Sequence, residues 1–302
     1  MLHITNGESV SLPQTGLPGE FIYWNDVLHD GPVPRGLTLE ELSLVRERFI
    51  SEFFGTPLPE VSFRKRDEAI RRFRDHEEVV LWFEHDLYDQ LQLIQVLTWF
   101  SQQDPGRTRL SLICVDRYLG PMHPHQLTPL FDARHPVTRS EFKTAQTAWD
   151  AFCSPEPTKL TALLQEDTSA LPYLHDALVR HLEQFPSLRN GLSRSERQIL
   201  DLTASGLSGF PELFPAAQKL EEHLWMGDST FAQYIQRLAR GRQPILSTAD
   251  SRVEVTDFGR DVHGARADHV RANGINRWLG GVHLCEGAPA WRWDETARTI
   301  RP

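Results

Sequence analysis

The tripeptide Glu84-His85-Asp86, with Asp89 and Gln90 just beyond it, gathers more chemistry than any other stretch of the chain. Carboxylates are hard oxygen ligands suited to Mg²⁺ or Mn²⁺, and an imidazole exchanges protons near neutral pH. The apolar run Val79–Phe83 before them reads as a buried strand. The segment Asp86–Phe100 after them reads as a helix, with Leu87, Leu91 and Ile94 on one face. Ligands of open α/β sheets bind beyond the carboxyl ends of the strands. The spacing therefore places these ionisable groups where such a site forms.

Three more short apolar runs, Leu2–Thr5, Phe21–Trp24 and Leu110–Val115, read as strands of the same sheet. The first delivers Asn6, Gly7, Glu8 and Ser9 at its carboxyl end, and the second Asn25, Asp26, His29 and Asp30. The last delivers Asp116 and Arg117, with His123 and His125 beyond. Parallel strands would bring all four ends to one rim, where crowded carboxylates repel unless protonated or bound to a cation. On this reading Glu8, Asp26, Glu84 and Asp86 bind a divalent cation, Mg²⁺ or Mn²⁺. His29 or His85 transfers the proton, and Arg117 holds phosphate. Asn6, Gly7, Ser9 and Gln90 complete the ligand-binding set. The competing reading is structural: Asp26, Asp86 and Asp116 each sit where a strand-to-helix loop wants an N-cap. A Ser9 nucleophile served by Asp26 and His29 is weaker than Ser9 as a helix cap with Gly7 in the turn.

Strand and helix alternation predicts a Rossmann-like parallel α/β domain over residues 1–135, with helices at Leu39–Phe54, Asp67–Asp75 and Asp86–Phe100. The first crossover holds Pro13, Gly16, Pro18 and Gly19 and leaves room for about two helical turns. Residues 136–190 read as a helical connector punctuated by Pro155, Pro157, Pro172 and Pro186. Residues 191–302 read as a winged-helix-like α+β domain. Its helices are expected from Ser193, over Pro211–Leu224 and over Thr230–Arg240, with strands Pro244–Ser247 and Arg252–Thr256 around a turn at Ala249-Asp250-Ser251. A Trp- and Gly-rich tail then forms a last hairpin.

The net charge of −9 opposes a surface that tracks nucleic acid throughout. The third winged-helix segment offers Gln233, Gln236, Arg237 and Arg240, so a DNA or protein partner is carried as an alternative. The basic cluster Arg64–Arg66 and Arg71–Arg74 is diluted by acids and reads as a salt-bridged face. Trp278, Trp291 and Trp293 read as packing rather than as a base-stacking set. Cys114, Cys153 and Cys285 form no CxxC pair, which gives no support to a zinc ribbon or a disulfide framework. No apolar run approaches a membrane span and the start lacks a signal-peptide pattern, so a cytoplasmic protein with no membrane partner is expected.

Four groups of residues together resemble an uncharacterised bacterial family, the domain-of-unknown-function family 1835. They are Leu2–Ser9; Trp24–Pro32; Trp82–Asp86 with Asp89 and Gln90; and Arg277–Gly281 with Trp291–Asp294. That family commonly has Asp where this chain has Glu8. The resemblance implies a Rossmann-like N-terminal module and brings no established activity. Glu8 with Glu84-x-Asp86 is also reminiscent of the Toprim arrangement, in which acids at two strand ends hold Mg²⁺ for phosphoryl transfer. Here His85 stands between the acids and the first crossover is short. Leu192–Ser208 looks like the opening of a sigma-factor or response-regulator helix-turn-helix, but Phe210-Pro211 interrupts the match. Taken together, these readings favour a metal-assisted enzyme acting on a phosphorylated, nucleotide or nucleic-acid substrate. The alternative is a non-catalytic ligand-sensing regulator.

Overall fold

The computed structural model describes residues 1–58, 61–249 and 252–302. The N-terminal part runs β1 (Leu2–Thr5), β2 (Glu20–Tyr23), β3 (Gly31–Pro32), α1 (Leu39–Phe54), α2 (Arg64–Arg71), β4 (Glu78–Phe83), α3 (Leu87–Ser101), β5 (Arg109–Cys114), α4 (Pro124–Asp132) and β6 (His135–Pro136). Five of its strands form one sheet in the order β2-β1-β4-β5-β6. The first four are parallel, and the short β6 closes the β5 edge antiparallel. From β1 the chain moves to one side for β2 and returns to the other for β4. The winding direction reverses between β1 and β4, and their carboxyl ends flank a topological switch point.

Strand β4 is buried on both faces. Its alternating side chains feed two cores, as the two-residue period requires. Val80 and Trp82 pack with Val10, Leu12, Leu119 and Leu127. Val79, Leu81 and Phe83 face the main core below α3. Helix α3 starts at Asp86, whose carboxylate accepts from the Tyr88 and Asp89 amides. It is buried almost all round, its Asp89, Gln90, Gln92 and Gln95 included, because the sheet, α5 (Arg139–Phe152) and α7 (Leu174–Leu182) enclose it. Helix α6 (Thr158–Leu163) lies between those two.

The C-terminal part contains α8 (Arg194–Ala204), α9 (Phe210–Gln218), α10 (Asp228–Leu238), the antiparallel pair β7 (Leu246–Ala249) and β8 (Arg252–Val255), α11 (Asp257–His263) and α12 (His269–Asn273). Ile199, Leu213, Phe231, Leu238, Ile245 and Val262 build a core of their own. The tail forms two hairpins where one was expected: β9 (Arg277–Gly280) with β10 (Val282–Leu284), and β11 (Arg292–Asp294) with β12 (Thr299–Arg301).

Several expectations shift. The first crossover is a single 3₁₀ turn at Leu12–Thr15, ended by Gly16 at φ +77. The helix expected over Pro211–Leu224 stops at Gln218. Residues 219–227 instead run irregularly, with Leu220 and Leu224 exposed, because Glu221 and Trp225 are taken up by tertiary partners described below. Helix α2 starts three residues early, and the segment expected to continue it to Asp75 breaks into a 3₁₀ turn at Phe73–Asp75. Asp250 and Ser251 of the expected hairpin turn lie outside the described residues. The pairing of β3 with β9 joins residue 31 to residue 279 and was not anticipated. Among the described residues no helix is long and apolar enough to cross a membrane.

Candidate functional site

The loops at the switch point are stitched together by their own polar groups. The Asn25 amide donates to the Asn6 carbonyl at 3.0 Å, tying the ends of β1 and β2. Asn6 Nδ2 donates to Asp89 Oδ2 at 2.6 Å, tying β1 to α3. The Leu119 amide donates to Glu84 Oε1 at 2.8 Å, tying β4 to the loop after β5. Asp89 Oδ1 accepts the Glu84 amide at 2.7 Å. Asp86 Oδ1 accepts the Tyr88 amide at 2.8 Å.

These bonds draw Glu84, Asp86 and Asp89 into one buried group, with one carboxylate oxygen of each within 4.8 Å of the others. Oxygens around a small divalent ion, each about 2.1 Å from it, lie roughly 3 to 4 Å apart. The set is therefore of the right size and chemistry for such an ion. Two buried arginines of the same half of the chain are spent elsewhere: Arg46 on Asp26 at 2.9 Å, and Arg66 on Asp67 at 2.9 Å. Among the described residues no ion pair joins the three acids to a basic side chain. Burial raises the pKa of all three, and their mutual charge raises Asp86 and Asp89 further. Asp86 is pushed up to about 7. Protonation or a bound cation would relieve the charge of a group buried in this way.

The other candidate residues lie as follows. Asn6 is buried and bonded to Asp89. Gly7 abuts the Asn25 side chain, where an added Cβ would lie 3.0 Å from Oδ1. Glu8 and Ser9 are exposed, and Ser9 faces Gly120. Glu8 lies outside the buried acid group. Asp26 is buried in its pair with Arg46, which also reaches the carbonyls of Val27 and Asp30. Gln90 bonds the Glu84 carbonyl at 2.6 Å and so positions the loop. Arg117 is exposed and paired with its neighbour Asp116 at 3.4 Å. His29 is buried against Trp225 and Tyr88, and desolvation lowers its pKa to about 4. It is therefore neutral and enclosed.

His85 faces differently. Its ring stacks edge-on against His223 at 4.6 Å between centroids and lies 4.9 Å from Tyr118. Burial, followed by the neighbouring His223, lowers its pKa, so it is a neutral imidazole at neutral pH. It lines a cleft of about 250 Å³ whose other walls include Leu87, Arg180, Arg194, His223 and Trp225. The 219–227 segment forms one side of that cleft. It is fixed by Glu221 on Arg180 at 2.7 Å, by the Leu224 amide on Tyr118 and by Trp225 on His29.

Sequence reasoning missed this segment, because His223 sits in a polar stretch with no motif around it. It also missed the junction beneath. Asp30 Oδ2 accepts from the Tyr234 hydroxyl at 2.7 Å, and its other oxygen lies 3.5 Å from Arg277 Nε. Arg277 is also 3.6 Å from Glu196. A buried network thus joins the loop after β2 to α8, α10 and β9. Arg66, from the basic cluster, is buried and lies over the rings of Phe63 at 3.9 Å and Trp24 at 4.2 Å. It is structural.

Fold and site together define a mixed α/β protein with a mostly parallel sheet and a buried acidic triad at the switch point. No protein-family model and no curated protein matches the chain.

Proposed function

We propose that this chain is a metal-assisted enzyme that acts on a phosphorylated or nucleotide-type substrate at the strand-end crevice. The observation that carries the reading is the triad of Glu84, Asp86 and Asp89, buried together at the switch point with no basic partner among the described residues. Glu84 and Asp86 would hold Mg²⁺ or Mn²⁺, with Asp89 completing the set in place of the exposed Glu8 and the Arg46-paired Asp26. A divalent ion bound there supplies Lewis-acid polarisation of a phosphoryl oxygen or a water. His85, neutral and lining the cleft, is the proton-transfer group in preference to the fully enclosed His29. Arg117 is free enough to meet a phosphate only if it leaves Asp116. A cytoplasmic setting suits this chemistry.

Membership of the family 1835 remains part of the proposal. It is supported by the way the quoted motifs pack on one another: Asp30 on Arg277, and Gly31-Pro32 beside Leu279-Gly280. A second reading, a ligand-sensing regulator, draws on one observation. Helices α8 to α10 and the antiparallel pair β7–β8 share a separate core, consistent with a winged-helix module that binds DNA or a protein.

The test is turnover of a panel of phosphomonoesters and phosphodiesters with Mg²⁺ or Mn²⁺, by the parent and by Glu84→Gln. Metal-dependent turnover that falls at least a hundredfold in Glu84→Gln supports the enzyme. Turnover equal in both proteins refutes the assignment.

A further inference from the structure

A wider cleft lies away from the rim, in the C-terminal part. It holds about 610 Å³ and opens between the loop after α10, helix α12 and the loop from β10 to β11. That volume lies within the roughly 300–1,000 Å³ of small-ligand sites. Arg242 and Arg271 stand on its walls, contributed by two different elements, and both are exposed. Among the described residues neither guanidinium has a carboxylate partner. Arg292, beside them, is held by Asp268 at 3.3 Å. Glu286 is the sole acid among the cleft's lining residues. The wall also carries the half-buried indole of Trp291, which rests on the main core.

We propose that this cleft binds a nucleotide unit, its phosphate on Arg242 and Arg271 and its base stacked on Trp291. Guanidinium groups match phosphate oxygens in a planar, two-pronged geometry. An indole face accepts any base, because every base has a π-face. Two unpaired cations in a chain of net charge −9 form a local reversal of sign, which attracts a phosphate that the rest of the surface repels. The nucleotide is either free or part of a single strand, and the two share this chemistry. The site is separate from the acidic triad and does not depend on it.

Binding is measured with a short fluorescently labelled single-stranded oligonucleotide, with AMP, adenosine and inorganic phosphate as competitors. The proteins are the parent, the double variant Arg242→Glu/Arg271→Glu and Trp291→Leu. The exposed arginines tolerate reversal, and Leu keeps the packing beneath the indole. The parent is expected to bind. The double reversal should weaken binding at least tenfold and flatten the log–log salt dependence by about 0.7, for the one phosphate no longer neutralised on a single strand. Trp291→Leu should weaken it about tenfold with the salt slope unchanged. Displacement by AMP assigns the site to free nucleotides, and failure of AMP to displace assigns it to strands. The proposal is overturned if neither ligand binds, if the arginine reversals or Trp291→Leu change nothing, or if inorganic phosphate competes as well as AMP.

Discussion

Asp86→Asn should stabilise this protein above neutral pH while destroying its response to divalent cations. Asp86 has its pKa raised from 3.8 to about 7, first by burial and then by the charge of Glu84. A carboxyl group with a raised folded-state pKa favours the folded state only while it is protonated. That advantage is complete below about pH 4 and disappears as pH rises towards 7. Above pH 7, burying the ionised group costs about three pKa units at 1.36 kcal/mol each, or roughly 4 kcal/mol. Asn carries no charge, caps a helix as well as Asp, and keeps the oxygen that accepts from the Tyr88 and Asp89 amides. At about 2 °C per kcal/mol the variant should melt roughly 8 °C higher than the parent at pH 8 in the presence of chelator. The two proteins should converge near pH 4. Excess Mn²⁺ should raise the parent's Tm, with roughly 2.7 kcal/mol gained at a hundred times Kd, and leave the variant unmoved. Scanning calorimetry from pH 4 to 8, with and without Mn²⁺, reads both effects. A variant less stable than the parent at pH 8 without metal would refute the reasoning, because the ionised carboxylate would then be serving the fold.

Three other outcomes follow from burial and pairing. His181 lies buried between Phe152 and Phe185, and burial depresses its pKa to about 3. The stability this gives is present above pH 6.5 and is lost as pH falls towards 3. His181→Leu should therefore shrink the loss of stability between pH 7 and pH 5 by roughly 2 kcal/mol, as urea denaturation at the two pH values will show. Asp30→Ala strands Arg277 without its neighbour and should destabilise the protein by about 3–5 kcal/mol, read as a lower denaturant midpoint. Arg117→Ala should change stability by less than about 1 kcal/mol, because the pair with Asp116 is on the surface; a larger loss in the same denaturation assay would give Arg117 a partner not seen here.

What was legible in the sequence depended on the range of the contact that decides it. The strand ends of β1, β4 and β5 could be read because a buried strand writes its own apolar run and its loop residues follow at once. Asp86 as a cap and Glu84 beside it followed from the same local pattern. Glu8 and Asp26 lie outside the group of Glu84, Asp86 and Asp89 for a reason the local pattern does not carry. Whether a loop carboxylate turns towards the crevice or away depends on distant residues, and Arg46, twenty positions after Asp26, captured it. The 219–227 segment was hidden because its irregular path is set by Arg180, Tyr118 and His29, none of them near in sequence. The β3–β9 pairing was equally silent, since a two-residue strand carries no periodicity.

The most direct test of the triad as a cation site is calorimetric titration of the chelator-stripped protein with Mn²⁺, beside Asp86→Asn and Glu84→Gln. The account predicts saturable binding in the parent, at one ion per chain, and its loss in both variants while their folds persist. Absence of binding in the parent, or equal binding in all three proteins, would contradict it and leave Glu84, Asp86 and Asp89 as braces of the strand-end loops.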